Sequence, residues 1–212
     1  MKKLILLFGI YLLLLSCSSN RFVDSWRNKE VLTFKPNKLL VIGMTDNQTA
    51  RRIFEEELRR AFVVRNINAV ESTNILDSEF SKSKKSESEI DDMIKTISKQ
   101  GFDAVVISTV KGVEKRRNYY DNYNALGYRW SRFGKYYFWY QDIYYTPHYY
   151  DIYKIYHVET SIYYINQQDN KSLVWVGALD LVNPQTITET INKYVSKVIK
   201  ELENEKLITK YI

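Results

Sequence analysis

The spacing of hydrophobic residues changes along the chain, and each change marks a predicted strand or helix. Residues 39–42 are a continuous apolar run, which is typical of a short buried strand. Residues 50–62 then carry apolar side chains every three or four positions, which predicts a helix with one buried face. Residues 67–71 predict a second strand. The first third of the chain therefore indicates a strand, a helix and a strand.

The same alternation continues to the end of the chain. Residues 86–97 open with a capping-box sequence and predict a helix, and residues 104–110 predict a strongly buried strand. Residues 152–164 alternate with period two, as in a half-buried strand, whereas residues 173–181 are apolar on both faces. A last amphipathic helix covers residues 187–202.

These elements predict an α/β fold. Their order is β-α-β-α-β, an insert, then β-β-α, which is typical of a sandwich of two or three layers. We expect a mixed sheet of about five strands, covered by three main helices. The insert at residues 118–156 is expected to be hairpin-like.

The first seventeen residues have the layout of a bacterial export signal: two lysines, an apolar run at residues 4–15, and a small residue before a cysteine. Leu14-Leu15-Ser16-Cys17 matches a lipobox, in which the thiol is diacylated. As a helix the apolar run would span about 18 Å, too short for a hydrocarbon core of about 30 Å. It also lacks the polar positions of a buried amphipathic helix. We expect a lipoprotein signal peptide at residues 1–16 and an acylated Cys17 inserted in the bilayer.

The mature chain is expected to have a tether and one domain. Residues 17–37 are mostly polar and would reach about 65 Å if fully extended, although Trp26 and Phe34 are expected to dock on the domain. The α/β domain is expected at residues 38–212. Ser18 and Ser19 stand where inner-membrane lipoproteins of many bacteria carry an aspartate, so the outer membrane is favoured. The sequence leaves open which face of that membrane carries the protein.

The charge balance changes this picture little. Without Lys2 and Lys3 of the signal, 29 basic residues remain against 25 acidic ones. An arginine cluster falls in the first helix and could form a nucleic-acid footprint, an anionic lipid or glycan surface, or a solvated helix face. We expect the solvated face and no nucleic-acid partner. The arginines are Arg51, Arg52, Arg59, Arg60 and Arg65.

The insert has the one unusual composition of the domain. Residues 118–156 hold 13 of the 18 tyrosines, together with two tryptophans and two phenylalanines. Such residues pack well on surfaces that are half apolar and half wet. The segment is expected either to pack on the sheet edge as a long hairpin, or to bind a protein, a glycan or the membrane surface. The candidate binding residues are Tyr136, Tyr137, Trp139, Tyr140, Trp130, Tyr144 and Tyr145.

Signals for catalysis are scarce. His157 and Glu159 would share one face of a strand, which gives two metal ligands where zinc needs three or four. Carboxylate pairs drawn from Asp142, Asp151 and Glu159 are unspecific in a chain with 25 acidic residues. Neither a nucleophile elbow nor a phosphate-binding glycine loop occurs. We expect no enzymatic activity, no metal and no cofactor.

Six short motifs carry a resemblance to a known family. They are Ser25-Trp26, Leu40-Val41-Ile42-Gly43, Arg51-Arg52-Ile53-Phe54-Glu55, Gly101-Phe102-Asp103-Ala104-Val105, Val158-Glu159-Thr160 and Leu173-Val174-Trp175. With these motifs the chain resembles a family of uncharacterised bacterial envelope lipoproteins over residues 25–208, apart from the insert. At fold level it is also similar to the curli-secretion lipoprotein, the amino-terminal part of the Tol-system propeller protein, and lipoprotein activators of peptidoglycan synthases. The resemblance implies a non-catalytic module that binds partners.

Two functions remain from the sequence. The first is a lipid-anchored binding module that holds an envelope protein or a glycan. The second is a structural subunit of an envelope assembly or secretion pore, in which copies of the chain pack together. The sequence leaves the oligomeric state open.

The lipid anchor is testable by replacing Cys17 with alanine. Because the variant has no thiol to acylate, we expect it to move from the membrane to the soluble fraction, as followed by fractionation and immunoblotting. A Ser18→Ala variant serves as the control and should stay on the membrane. Retention of the Cys17→Ala protein on membranes would contradict lipid anchoring.

Overall fold

The structure, a computed structural model, describes residues 20–76, 83–115, 133–140, 154–165, 172–182 and 186–211. Within these ranges, six strands form one sheet: β1 Asn20–Arg27, β2 Leu39–Met44, β3 Ala69–Glu71, β4 Ala104–Lys115, β5 Lys154–Tyr164 and β6 Leu173–Val182. The same ranges contain four α-helices: α1 Gln48–Val63, α2 Glu87–Lys99, α3 Phe133–Tyr140 and α4 Ile187–Asn204.

The sheet is mixed, with the strand order β1-β6-β5-β4-β2-β3. Neighbours from β1 to β4 in this order are antiparallel, whereas β4, β2 and β3 are parallel. At one end of the antiparallel half, which we call the Asn20 end, the register pairs Asn20 with Leu181, Ile155 with Val182, and Lys115 with Lys154. At the other, the Arg27 end, it pairs Arg27 with Trp175. The parallel pair of Leu39 and Ala104 lies at this same end of the sheet.

Helices cover both faces of the sheet, which confirms the α/β sandwich and makes it three-layered. Strand β2 is buried on both sides because its residues are apolar without interruption, so successive side chains enter opposite cores. One core contains Leu39, Val41, Val106, Phe54, Leu58, Phe62, Val195, Val198 and Leu202, which belong to the sheet, α1 and α4. The other contains Leu40, Ile42, Val105, Ile107, Ile90, Met93, Ile97, Phe133 and Tyr137, which belong to the sheet, α2 and α3.

The ends of the helices follow the capping signals in the sequence. The side chain of Asn47 accepts a hydrogen bond from the Ala50 backbone N–H at 2.9 Å, which caps α1. Ser86 and Glu89 form the predicted capping box of α2. After α2, Gly101 has a φ of +86°, a left-handed conformation that glycine adopts at little cost. In the part of the chain described here, no helix is long and apolar enough to span a bilayer.

Strand β1 lies where the sequence predicted a tether. Seven of its eight residues pair with β6 along the edge of the sheet, so the folded part already includes Asn20. The alternation of apolar and polar residues did not predict this strand, because the register shifts between Phe22 and Asp24 and the period of two is lost at that bulge. As a result, Phe22 packs in the α1 and α4 core and Trp26 in the opposite core. Phe34 docks as expected and is buried.

The insert contains a helix in its described part, where a hairpin was expected. Phe133 and Tyr137 are four residues apart in α3 and therefore point to the same side. The Phe133 ring lies 6.0 Å from that of Tyr163 on β5, measured between centroids. Tyr137 is only 5% exposed and packs in the core with α2 and the sheet. Its predicted role in a binding surface stays a prediction.

This packing predicts that α3 stabilises the domain. The Phe133→Ala variant should lose about 3–5 kcal/mol of unfolding free energy, because a buried ring leaves a cavity against α2 and the sheet. The loss is measurable by urea denaturation. The exposed Lys135 on the same helix gives a matched control, and Lys135→Ala should change stability by less than about 0.5 kcal/mol. Equal effects of the two substitutions would mean that α3 does not pack on the sheet.

Candidate functional site

A fully buried carboxylate, Glu55, joins α1 to the ends of β2 and β3. It is 0% exposed and accepts hydrogen bonds from the backbone N–H groups of Gly43 and Thr73, both at 2.9 Å. It also accepts from Arg51 Nε at 2.9 Å and from the Ser72 hydroxyl at 2.6 Å. Arg51 Nη2 donates in addition to Ser72 Oγ at 2.7 Å. We call these residues, Gly43, Arg51, Glu55, Ser72 and Thr73, the Glu55 network.

The Glu55 network corrects one expectation about the arginine cluster. Arg51 was expected on a solvated helix face, but it is buried and forms an ion pair with Glu55 one helical turn away. Close packing demands a glycine at position 43, because a Cβ there would lie 2.9 Å from Phe54 Cδ1. The carboxylate is already bonded to four donors, so the network is suited to hold elements together.

A second polar group lies on the sheet near the Asn20 end. Lys111 Nζ is 2.9 Å from Glu159 Oε2, and His157 Nδ1 is 2.7 Å from Asp180 Oδ1. All four side chains border a cavity of about 120 Å³. His157 and Glu159 therefore line the same cavity, but His157 pairs with Asp180 and Glu159 pairs with Lys111. Within the described ranges, no group of three or more histidine, cysteine, aspartate or glutamate residues is placed to hold a metal ion.

A third polar group is buried under α4. The hydroxyls of Ser108 and Thr160 are 2.6 Å apart, and Tyr194 forms a hydrogen bond with Thr160. Burial raises the pKa of the Tyr194 phenol to about 12, so the group stays protonated at neutral pH. This group satisfies polar atoms in the core and presents none of them to a ligand.

An open groove with a volume of about 770 Å³ lies between α1 and α4. Both helices start toward the Asn20 end and finish toward the Arg27 end, and the groove follows their C-terminal halves. Four cations and two carboxylates line it, together with amide, hydroxyl and aromatic groups. These residues are Arg60, Arg65, Lys200, Lys210, Glu57, Glu203, Asn192, Asn204, Ser196 and Tyr211.

The charges of the groove are partly paired. Arg65 Nε lies 2.7 Å from Glu203 Oε1 and thereby links the last turn of α4 to the chain after α1. Its guanidinium also lies 5.9 Å from the centre of the Tyr211 ring, within the range of a cation–π contact. Arg60 forms an ion pair with Glu57 at 3.0 Å. Lys200 and Lys210 add two further cations, so the groove carries a positive excess.

Most of the predicted site residues are not tested by these contacts. Cys17, Trp130, Tyr144 and Tyr145 lie outside the described residues. Tyr136, Trp139 and Tyr140 belong to α3, but their side chains also lie outside the described part. Their proposed role in binding therefore stays a prediction. The groove was missed because its two walls come from segments more than 100 residues apart.

The chain matches no protein-family model and no curated protein. It is similar to two crystal forms of the PelC dodecamer from Paraburkholderia phytofirmans. One has a TM-score of 0.41 and 10% identity, and covers 87% of this chain and 98% of PelC. The other has a TM-score of 0.38 and 9% identity, and covers 90% and 98%.

The lipoprotein GNA1162 from Neisseria meningitidis is also similar, with a TM-score of 0.41, 11% identity, and 80% of this chain and 99% of GNA1162 covered. The structural neighbours thus include a lipoprotein. Their low TM-scores carry no argument about function. The resemblances to the curli-secretion, Tol and peptidoglycan-synthase proteins stay predictions.

The Glu55 network gives a test of its structural role. The Glu55→Gln variant keeps the side-chain shape but leaves the buried Arg51 cation without a countercharge, so unfolding free energy should fall by about 3–5 kcal/mol. Glu56→Gln is the matched control because Glu56 is exposed and pairs with Arg60 at the surface. It should cost about 1 kcal/mol or less. Similar losses for both variants in urea denaturation would rule out the structural role.

Proposed function

We propose that this protein is a lipid-anchored, non-catalytic module of the bacterial cell envelope that binds an acidic glycan in the α1–α4 groove. Acylated Cys17 holds it on the membrane, and the residues after it, Ser18 and Ser19, favour the outer membrane. The observation that carries the binding role is the lining of the groove, where four cations and two carboxylates surround about 770 Å³ of open space.

The groove offers the groups that an acidic sugar chain needs. Lys200 and Lys210 are available to sugar carboxylates, and charge-assisted hydrogen bonds of this kind are among the stronger ones in proteins. Asn192 and Asn204 can bind sugar hydroxyls, and the exposed ring of Tyr211 can stack on a sugar ring. An acidic glycan therefore matches the positive excess of the lining.

A protein partner fits the groove less well. The core of a protein interface is depleted of charged residues and enriched in aromatic ones. Six charged side chains line this groove. Its apolar lining is Ala61, Val64, Val195 and Ile199, of which only Val64 is a large exposed side chain. The sequence allowed a protein or a glycan, and the groove favours the glycan.

The charged side chains beside the cavity of about 120 Å³ are paired with one another, Lys111 with Glu159 and His157 with Asp180. The proposal assigns no reaction to these residues.

The alternative function is a structural subunit of an envelope assembly or secretion pore. It is favoured by β1, an edge strand of eight residues whose outer side pairs with no other strand in the described part of the chain. Such edges are templates for pairing with another chain. A stable oligomer of the soluble domain in light scattering would favour this alternative.

The groove is tested by reversing the charges of Lys200 and Lys210. Wild-type protein should bind polygalacturonate, an acidic polysaccharide, and not neutral dextran of similar length, as measured by calorimetry. The Lys200→Glu/Lys210→Glu variant should bind polygalacturonate about tenfold or more weakly, because charge-assisted hydrogen bonds contribute about 1.5–3 kcal/mol each. The control is Lys95→Glu/Lys99→Glu, which makes the same charge change on α2, across the sheet. It should bind as the wild type does.

Two outcomes would contradict the groove as the site. Equal weakening by both double variants would show that only the net charge matters. Failure of the wild-type protein to bind polygalacturonate, together with specific capture of one envelope protein that the groove variant loses, would show that the partner is a protein.

A further inference from the structure

The connection between the lipidated cysteine and the sheet is short. Asn20 is the first residue of β1 and pairs with Leu181, and it follows Cys17 by three positions. Consecutive Cα atoms are 3.8 Å apart, so the connection spans at most about 11 Å in any conformation. A free tether over residues 17–37 would instead reach about 65 Å. The first strand must therefore begin close to the lipid.

We propose that this short connection holds the Asn20 end of the sheet against the headgroup layer of the bilayer, with the Arg27 end pointing away from it. The inference rests on the proposed acylation of Cys17 and adds the orientation of the folded domain. The partner of this surface is the phospholipid bilayer to which the anchor belongs.

The sheet is shaped so that its antiparallel half meets the bilayer first. Strand β2 ends at Met44, which is opposite Thr109, whereas β4 continues to Lys115. The antiparallel strands thus project past β2 by up to six residues at the Asn20 end, or about 20 Å.

The orientation has a consequence for the groove. Because α1 and α4 run from the Asn20 end toward the Arg27 end, their C-terminal halves lie on the side away from the bilayer. The groove between them would then open toward the compartment that the domain projects into. A polymer could reach it without displacing the protein from the membrane.

The test measures how close each end lies to the lipid. Full-length, acylated protein is prepared with one added cysteine, labelled with a donor fluorophore and reconstituted in phosphatidylethanolamine–phosphatidylglycerol vesicles that contain a headgroup-labelled acceptor lipid. Cys17 does not react because its thiol is acylated. Glu114→Cys, at the exposed end of β4, and Ile187→Cys, at the first residue of α4, mark the Asn20 end. Leu32→Cys and Val64→Cys mark the Arg27 end. The side chains of Leu32 and Val64 are 79% and 46% exposed.

Energy transfer should be about twofold or more higher for the two labels at the Asn20 end. The seven steps from Asn20 to Arg27 along β1 separate the two ends by about 23 Å, a distance over which energy transfer falls steeply. A linker of 20 glycine and serine residues inserted between Ser19 and Asn20 should abolish the difference, because it adds about 25 Å of flexible reach.

The outcomes separate the orientation from the lipid anchor. Equal transfer from all four labels, in protein that floats with the vesicles, overturns the orientation and leaves the anchor in place. Protein that does not float with the vesicles overturns both. A difference that survives the inserted linker overturns the role of the short connection.

Discussion

The Glu55 carboxylate is the point on which the α1 side of the molecule depends. A buried charge is costly unless donors surround it, and here one guanidinium, one hydroxyl and two backbone N–H groups meet that need. The donors come from three separate segments, so the carboxylate fixes α1 over β2 and against the turn after β3. With α4 packed beside it, α1 then forms one wall of the groove. The proposed binding surface therefore depends on a group that no ligand can reach.

Local patterns predicted most of the sheet and three of the helices, because burial on one or both faces leaves its period in the sequence. The two failures have local causes as well. In β1, the bulge beside Val23 shifts the side chains so that Phe22 and Trp26 enter opposite cores, which no period of two reveals. In α3, tyrosine and tryptophan favour strands, but the spacing of Phe133 and Tyr137 matches one helical turn.

The candidate site was much less predictable than the fold. The spacing of Arg51 and Glu55 along α1 puts them near the face that carries Phe54 and Leu58. That spacing alone does not bury the charged pair. The pair is buried because Gly43 and Ser72, from other segments, form hydrogen bonds with it. The groove exists because α1 and α4 lie side by side, and no short motif encodes that arrangement. Composition drew attention to the aromatic insert instead, where Tyr137 proved to be part of the core.

The position of β1 also determines how the domain carries mechanical load. Glu205, just after α4, forms hydrogen bonds with Ser25, Arg27 and Trp175, and so fastens the far end of β1. If Cys17 is acylated and the groove binds a polymer, as proposed, a pull between the lipid and that polymer would act along the strand axis. All hydrogen bonds between β1 and β6 would then resist in shear at the same time, and the strand would not peel away one bond after another.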